Sequence, residues 1–106
     1  MFVVNNTTWN LIFVNPRSEH LKTSLNTYVL GVTDWNDKCV YVADNLYGDK
    51  LEHVVCHEIV HCFMFSYSMY LPIEEEEYIA NWVADYGREL FYILDDILYL
   101  MNRRIA

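Results

Sequence analysis

Residues 57–61 read His-Glu-Ile-Val-His, and this pattern constrains the fold more than any other part of the sequence. The neighbouring residues are mostly apolar, which favours a helix that is at least half-buried. Positions four apart lie on one helix face, so His57 and His61 can direct imidazole nitrogens at one metal ion. Glu58 is turned by about 100° from His57, so its carboxylate can reach a water on that metal without becoming a ligand. Metal-assisted hydrolysis requires at least these groups, two metal ligands and a base beside the bound water.

The residues at the motif leave two alternatives open. Cys56 and Cys62 flank the motif, and sulfur ligation of zinc is one interpretation of them. Each cysteine is adjacent in sequence to a histidine and points well away from it on a helix, which favours small buried hydrophobic side chains. The motif could also be a buried helix face without a metal. Burying two histidines and a glutamate without a partner is costly, so metal binding is the favoured interpretation.

Composition limits the class of protein. A chain of 106 residues with only three glycines and two prolines predicts a single domain over residues 1–106. The net charge of −8 argues against a nucleic-acid surface. No apolar run reaches the length of a membrane span, and the N-terminus shows no secretory signal. An odd number of cysteines fits reduced thiols, so we expect a cytoplasmic protein. From the charge and the short apolar runs, we expect neither nucleic acid nor a membrane as a partner.

Short apolar segments predict the strands. Residues 11–14 form an apolar run that ends at Asn15-Pro16 and indicate a strand. Residues 28–33 and 39–43 are rich in β-branched and aromatic residues, and the polar residues between them indicate a hairpin. Residues 17–27 could form a turn of helix using Leu21 and Leu25.

Two helices follow the predicted hairpin. Asp49 is a plausible N-cap, with Glu52 three residues later, for a motif helix that extends to about Tyr67. Pro72 suits the first turn of a second helix. That helix should extend to about residue 101, with Gly87 as a weak point, because apolar residues recur with the helical period at 79, 82, 83, 86, 90, 93, 94, 97 and 101. The predicted fold is α+β, a small antiparallel or mixed sheet packed on the motif helix and a second long C-terminal helix.

Two histidines are too few for a catalytic zinc, which usually has three protein ligands and an exchangeable water. Metzincins would have glycine at 64 and histidine at 67; Met64 and Tyr67 exclude that class. The other common third ligand is a glutamate from a following helix. Residues 74–77 are four glutamates at the start of the second predicted helix, and all four could instead be solvated charges favoured by the helix dipole.

Helical spacing separates the four glutamates. Glu77 shares its face with Asn81 and with two small residues, Ala80 and Ala84, that allow close approach to the motif helix. Asn81 could accept the ring N–H of a zinc-bound histidine and fix its tautomer. The two middle glutamates lie nearer the apolar stripe, and the first begins the helix. We predict Glu77 as the third ligand, with Glu76 as the alternative.

The motif at residues 57–61, followed by Glu77 and by Ala80-Asn81-Trp82-x-Ala84, resembles the gluzincin zinc peptidases. In particular it is similar to the compact ImmA/IrrE-like group of phages and mobile elements, and to the minimal gluzincins, over residues 31–85. In thermolysin-like gluzincins an aspartate follows the ligand glutamate by four residues. This chain has asparagine there, which still permits a hydrogen bond.

The resemblance implies one zinc ion per chain, held by His57, His61 and Glu77, with Glu58 as the general base. It also implies a strand beside the site that pairs with an extended protein or peptide substrate. Some relatives use a histidine or tyrosine to steady the oxyanion, and the candidates here are Tyr67, Tyr70 and Tyr78.

The expected function is zinc-dependent hydrolysis of peptide bonds, with endopeptidase action on a regulatory or phage-encoded protein implied by the resemblance. One alternative is a non-catalytic zinc-binding module that interacts with a partner. Another is a latent peptidase whose cleft is covered by its own segment, by Cys56 and the aromatic-rich ends, or by dimerisation. The sequence does not predict the oligomeric state.

Overall fold

A computed structural model describes residues 1–105, and the side chains of residues 1–103. The fold is α+β, as predicted, with a four-stranded mixed sheet and two helices. The strands are β1 (Phe2–Val4), β2 (Thr7–Val14), β3 (Gly31–Asp34) and β4 (Cys39–Ala43). The helices are α1 (Gly48–Ser66) and α2 (Ile73–Ile105).

The strand order β1-β2-β4-β3 places β4 inside the sheet and β3 at its edge. All five residues of β4 are buried, which explains its continuous apolar character. β4 pairs in parallel with β2 and antiparallel with β3, so the predicted hairpin is confirmed, although its first strand begins at Gly31 rather than at residue 28. β1 was not predicted. Asn5 and Asn6, both at positive φ, form the two-residue turn that joins it to β2.

Helix α1 lies on the sheet and forms the main core with it. Trp9, Val40 and Val42 of the sheet are fully buried together with Cys62 of α1. The Trp9 indole N–H donates to the Ser66 hydroxyl across 3.0 Å, which ties the end of α1 to β2. The sheet and α1 therefore form one packed layer pair that fixes the orientation of the motif.

Three predictions about helix ends and short helices need correction. Asp49 is not an N-cap, because α1 begins one residue earlier and Tyr47 occupies the cap without a side-chain hydrogen bond. Pro72 precedes α2 rather than lying in its first turn, and its carbonyl accepts the N–H groups of the third and fourth helical residues. Within residues 17–27 only Glu19–Leu21 is helical, as a 3₁₀ turn. Leu21 is buried there, whereas Leu25 is exposed.

Helix α2 is 33 residues long and continues through Gly87 without interruption, beyond the predicted end. Residues 76–88 pack antiparallel to residues 52–61 of α1, and the remainder extends past the start of α1. The helical period was predicted correctly, but the apolar stripe beyond Val83 is exposed. Neither helix, as described over residues 1–105, has the length and apolar character needed to cross a membrane.

Candidate metal centre

The antiparallel packing of α1 and α2 brings three metal-binding side chains to one point. The Nε2 atoms of His57 and His61 are 3.2 Å apart. The two Glu77 carboxylate oxygens lie 3.1 Å from His57 Nε2 and 2.8 Å from His61 Nε2. A tetrahedral zinc ion with bonds of about 2.0–2.1 Å needs donor atoms roughly 3.3 Å apart. These three residues could therefore hold one metal ion if the distances between their donor atoms increased slightly.

Hydrogen bonds to the outer ring nitrogens point the inner nitrogens at this centre. Nδ1 of His57 lies 2.9 Å from Asn81 Oδ1, and Nδ1 of His61 lies 2.9 Å from Glu76 Oε2. Both partners are acceptors, so each Nδ1 carries the proton and each Nε2 presents a lone pair. In the neutral imidazoles of this tautomer, two lone pairs and a carboxylate converge on one point. A cation between them would stabilise that arrangement, and the nitrogen and oxygen donors suit zinc.

The four glutamates of residues 74–77 have separate environments. Glu77 joins the donor group, while Glu76 is partly buried against His61. The first two glutamates are exposed. Ala80 is fully buried, and this small side chain permits the close approach of the two helices. The role of Glu76 in holding a histidine was not predicted, because it depends on the distance between the helices and not on spacing within one of them.

Glu58 lies beside the donor group and outside it. One of its carboxylate oxygens, Oε2, is 3.9 Å from His57 Nε2, and the residue is only 7% exposed. The Thr33 hydroxyl lies 2.9 Å from the other oxygen, Oε1, and 3.1 Å from the Glu58 carbonyl oxygen, and the shorter contact favours donation to Oε1. Burial raises the pKa of the Glu58 carboxyl above its usual value, while the Thr33 hydrogen bond and the nearby His57 act in the opposite direction. Glu58 is therefore a fixed, weakly solvated carboxylate with one oxygen directed toward the histidines.

Strand β3 positions Glu58 by close contact. A Cβ atom at Gly31 would lie 3.0 Å from Glu58 Cγ and 2.9 Å from a Val54 methyl carbon, so only glycine allows the strand to pack this close to α1. Thr33, two residues along the same strand, supplies the hydroxyl. Neither residue was predicted to contribute to the site. They are about 25 residues from Glu58 in sequence, and no local pattern signals such a contact.

A cleft of about 850 Å³ opens beside the donor group. One wall is formed by β3 and the residues before it, and the other by the segment after α1. Trp35, Phe65 and Leu71 make much of its surface apolar. The cleft also contains the charged or ionisable residues Lys50 and His53, and the His53 Nε2 atom lies 2.8 Å from Asp85.

The positions of the tyrosines and cysteines show which of them could contribute to the site. Tyr70 lines the cleft, whereas Tyr67 and Tyr78 do not. Cys62 is fully buried, and burial raises the pKa of its thiol to about 12, so the thiol stays protonated. Cys56 is half-buried, and neither cysteine belongs to the donor group. Both behave as small hydrophobic side chains.

We compared the chain with protein-family models, with curated proteins and with solved structures. None of the three comparisons found a match. The resemblance to gluzincins therefore stays a prediction from the motif residues, and the function has to be argued from the geometry of His57, His61, Glu77 and their neighbours.

Proposed function

We propose that this chain is a zinc-dependent metallopeptidase that hydrolyses peptide bonds in a protein segment bound in extended form. One observation carries the proposal. Three side chains that can ligate a metal converge at the spacing of a metal site, next to a buried carboxylate that is not one of them. A site built only for stability would surround the metal with four protein ligands, whereas three ligands beside an open cleft suit catalysis.

Each residue has a separate role in the proposed reaction. His57, His61 and Glu77 hold zinc, which when bound activates water and stabilises negative charge on the carbonyl oxygen. Glu58 accepts the proton of the attacking water at Oε2 and later passes it to the leaving amine. Oε2 is the available oxygen because Oε1 accepts the hydrogen bond from Thr33. Thr33 therefore acts as a positioning residue, through Glu58.

The edge of the sheet supports an extended substrate. β3 pairs with β4 on one side, and within residues 1–105 no strand pairs with its other side. That free edge lines the cleft next to Glu58, so a substrate segment can add to it as a further strand. The apolar walls formed by Trp35 and Phe65 favour apolar side chains in such a segment. The three free cysteines suit a reducing compartment, so we place the reaction in the cytoplasm.

Metal content provides the first test of the proposal. Elemental analysis of protein purified without chelator should give one zinc ion per chain. His57→Ala and His61→Ala should each lose the metal, because two remaining ligands do not make a stable site. His20→Ala is a matched control, since His20 stacks on Tyr41 away from the site and should leave zinc content unchanged. A metal-free wild type, or full zinc in both site variants, contradicts the proposal.

Activity provides the second test. Glu58→Gln keeps the size of the side chain but cannot accept a proton, so it should retain one zinc and lose at least about 10²-fold in peptide hydrolysis. Turnover should be measured on unstructured proteins and on a peptide mixture. Equal turnover in the wild type and in Glu58→Gln contradicts the mechanism. A zinc-loaded wild type with no hydrolysis of either substrate would favour the non-catalytic binding module.

A further inference from the structure

The C-terminal part of α2 lacks a packing partner within the described chain. Arg88 is the last residue of α2 that bonds to α1, through Glu52. Residues 89–103, the overhang, extend beyond the start of α1, and among the side chains described none of them forms an ion pair or hydrogen bond with another element. The 57 Å length of the molecule, against 30 and 27 Å in the other directions, reflects this extension.

The overhang has one strongly apolar face. Eight large apolar side chains between Leu90 and Met101 occupy one half of the helix circumference and are between 42% and 59% exposed. The centre of this face is formed by residues four and three apart, Leu90, Leu94, Ile97 and Met101. The opposite half carries the charged residues together with two tyrosines. Such a face is normally covered, because an isolated helix of about 15 residues is marginal in water without packing.

We propose that a second copy of this chain covers the face, with the two overhangs packed antiparallel in a two-fold dimer. Half-exposed side chains with roughly 200 Å² of surface each give on the order of 800 Å² of apolar area per chain. A standard stable interface buries about 800 Å² per partner. If only about two-thirds of the face were buried on each copy, the total buried area would still exceed the roughly 1,000 Å² expected of a biological interface. The face is therefore large enough for a dimer.

The charges beside the face favour the antiparallel arrangement. Glu89, Asp96 and Arg103 are seven residues apart and lie along one flank. In an antiparallel pair that flank lies beside the same flank of the second copy, so Glu89 meets Arg103 of the other chain at both ends. Two acidic contacts oppose this arrangement, Asp96 with Asp96 on this flank and Asp95 with Asp95 on the other border of the face. In a parallel pair the flank lies beside that other border, so Asp96 meets Asp95 of the other chain and no contact between Glu89 and Arg103 compensates for it.

The same charges argue against a membrane surface as the occupant. Glu89, Asp95 and Asp96 border the face, and the chain carries a net charge of −8. Helices that lie in a membrane interface are typically rich in lysine and arginine on their polar face.

Mass measurement by sedimentation equilibrium tests the proposal. The wild type should have twice the chain mass of 12.7 kDa over a concentration series. Leu90→Glu with Ile97→Glu places two charges at the centre of the face and should give a monomer that keeps its helical circular dichroism and its metal content, because both side chains are already exposed within one chain. Tyr92→Glu is the matched control. It adds charge to the opposite half of the same helix away from Arg103 and should remain dimeric.

The charge pairs test the orientation. Arg103→Glu should raise the dimer dissociation constant by roughly 10-fold, since it replaces two attractive surface contacts with two repulsive ones. Adding Glu89→Arg in the same chain should restore dimerisation. A wild type with the mass of one chain throughout, or a dimer that survives Leu90→Glu with Ile97→Glu, overturns the proposal. A monomer that cosediments with phosphatidylcholine vesicles also overturns it and assigns the face to a membrane. Failure of the charge reversal to rescue overturns the antiparallel orientation.

Discussion

Among single residues, the choice between Glu76 and Glu77 defines how the site is built. Both side chains contact His61, but Glu77 reaches the inner nitrogen and Glu76 the outer one. Glu77 contacts Nε2, the nitrogen that would bind the metal, and Glu76 contacts Nδ1 on the other side of the same ring. Substitution of each residue should therefore weaken metal binding by different amounts.

Zinc titration of the four Glu→Ala variants at residues 74–77 tests this difference. Glu77→Ala should lose the metal most strongly, because it removes a ligand. Glu76→Ala should cost about 10- to 100-fold in affinity, the range for losing a hydrogen bond to a ligating histidine. Glu74→Ala and Glu75→Ala are exposed controls and should change stability by only a few tenths of a kcal/mol. A larger loss for Glu76→Ala than for Glu77→Ala would contradict the geometry of α2.

The sequence allowed some of these contacts to be predicted and not others. Asn81 lies on the face of Glu77, so a contact with one of the two motif histidines followed from helical spacing, and the structure places its Oδ1 atom 2.9 Å from Nδ1 of His57. The contact of Glu76 with His61 could not be derived in the same way. It depends on the angle and separation of two helices that meet at the buried Ala80, and spacing within one helix does not determine these quantities.

Thr33 tests the positioning of Glu58. Thr33→Val keeps the shape of the side chain and removes the hydroxyl, so the carboxylate loses a hydrogen bond worth about 1.5–3 kcal/mol. We expect kcat to fall by at least roughly 10-fold with KM and zinc content unchanged. Thr33→Ser should restore most of the rate because it restores the donor. A Thr33→Val variant with wild-type kcat would show that Glu58 is held by packing alone.

At the scale of elements, the close contact between β3 and α1 determines where the base lies. Gly31→Ala would place a Cβ atom against Val54 and Glu58, and the strand and helix would have to separate. We expect a loss of about 1–3 kcal/mol of stability, as for other overpacked sites, together with a lower rate. Denaturant unfolding and turnover measure the two effects.

Gly48→Ala is the control for this substitution. Its Cβ atom would meet nothing within 4 Å, but the backbone has φ +59°, so the variant should lose about 1–2 kcal/mol through backbone strain alone. Below its unfolding transition it should keep the wild-type rate. If Gly31→Ala behaves in the same way, the contact with Glu58 does not control activity.

The elements differ in how far the sequence predicts them. β4 and α1 are evident because β4 is a continuous apolar run and the residues around the motif in α1 are mostly apolar, and the burial of β4 agrees with that run. α2 has a clear helical period, yet its second half is exposed. The helical period of a sequence shows which face of the helix is apolar, but it does not show which other element covers that face. Nothing in the sequence of α2 indicates that α1 is too short to cover that helix.

For the whole molecule, the donor group would add a metal bridge between two helices that also contact each other through His53 with Asp85 and Glu52 with Arg88. The proposed zinc would bind only when α1 and α2 are packed, so it should stabilise the folded chain by about 2.7 kcal/mol when free zinc is 100 times Kd. Removing it with a chelator should lower Tm by on the order of 10 °C for a domain of this size. Thermal unfolding with and without chelator measures this shift. His57→Ala should show none, and a chelator effect in that variant would point to metal bound elsewhere.

The three tryptophans occupy positions that give them distinct optical behaviour. Trp9 is completely buried between the sheet and α1, whereas Trp35 is 54% exposed at the cleft, in edge contact with Phe65. Indole emission shifts to shorter wavelength as water is removed, so a ligand that fills the cleft should blue-shift Trp35 and leave Trp9 unchanged until the chain unfolds. Trp82→Phe removes the third signal, from a helix position outside the cleft lining. The fold thus contains its own pair of fluorescent reporters, one for occupancy of the cleft and one for integrity of the core.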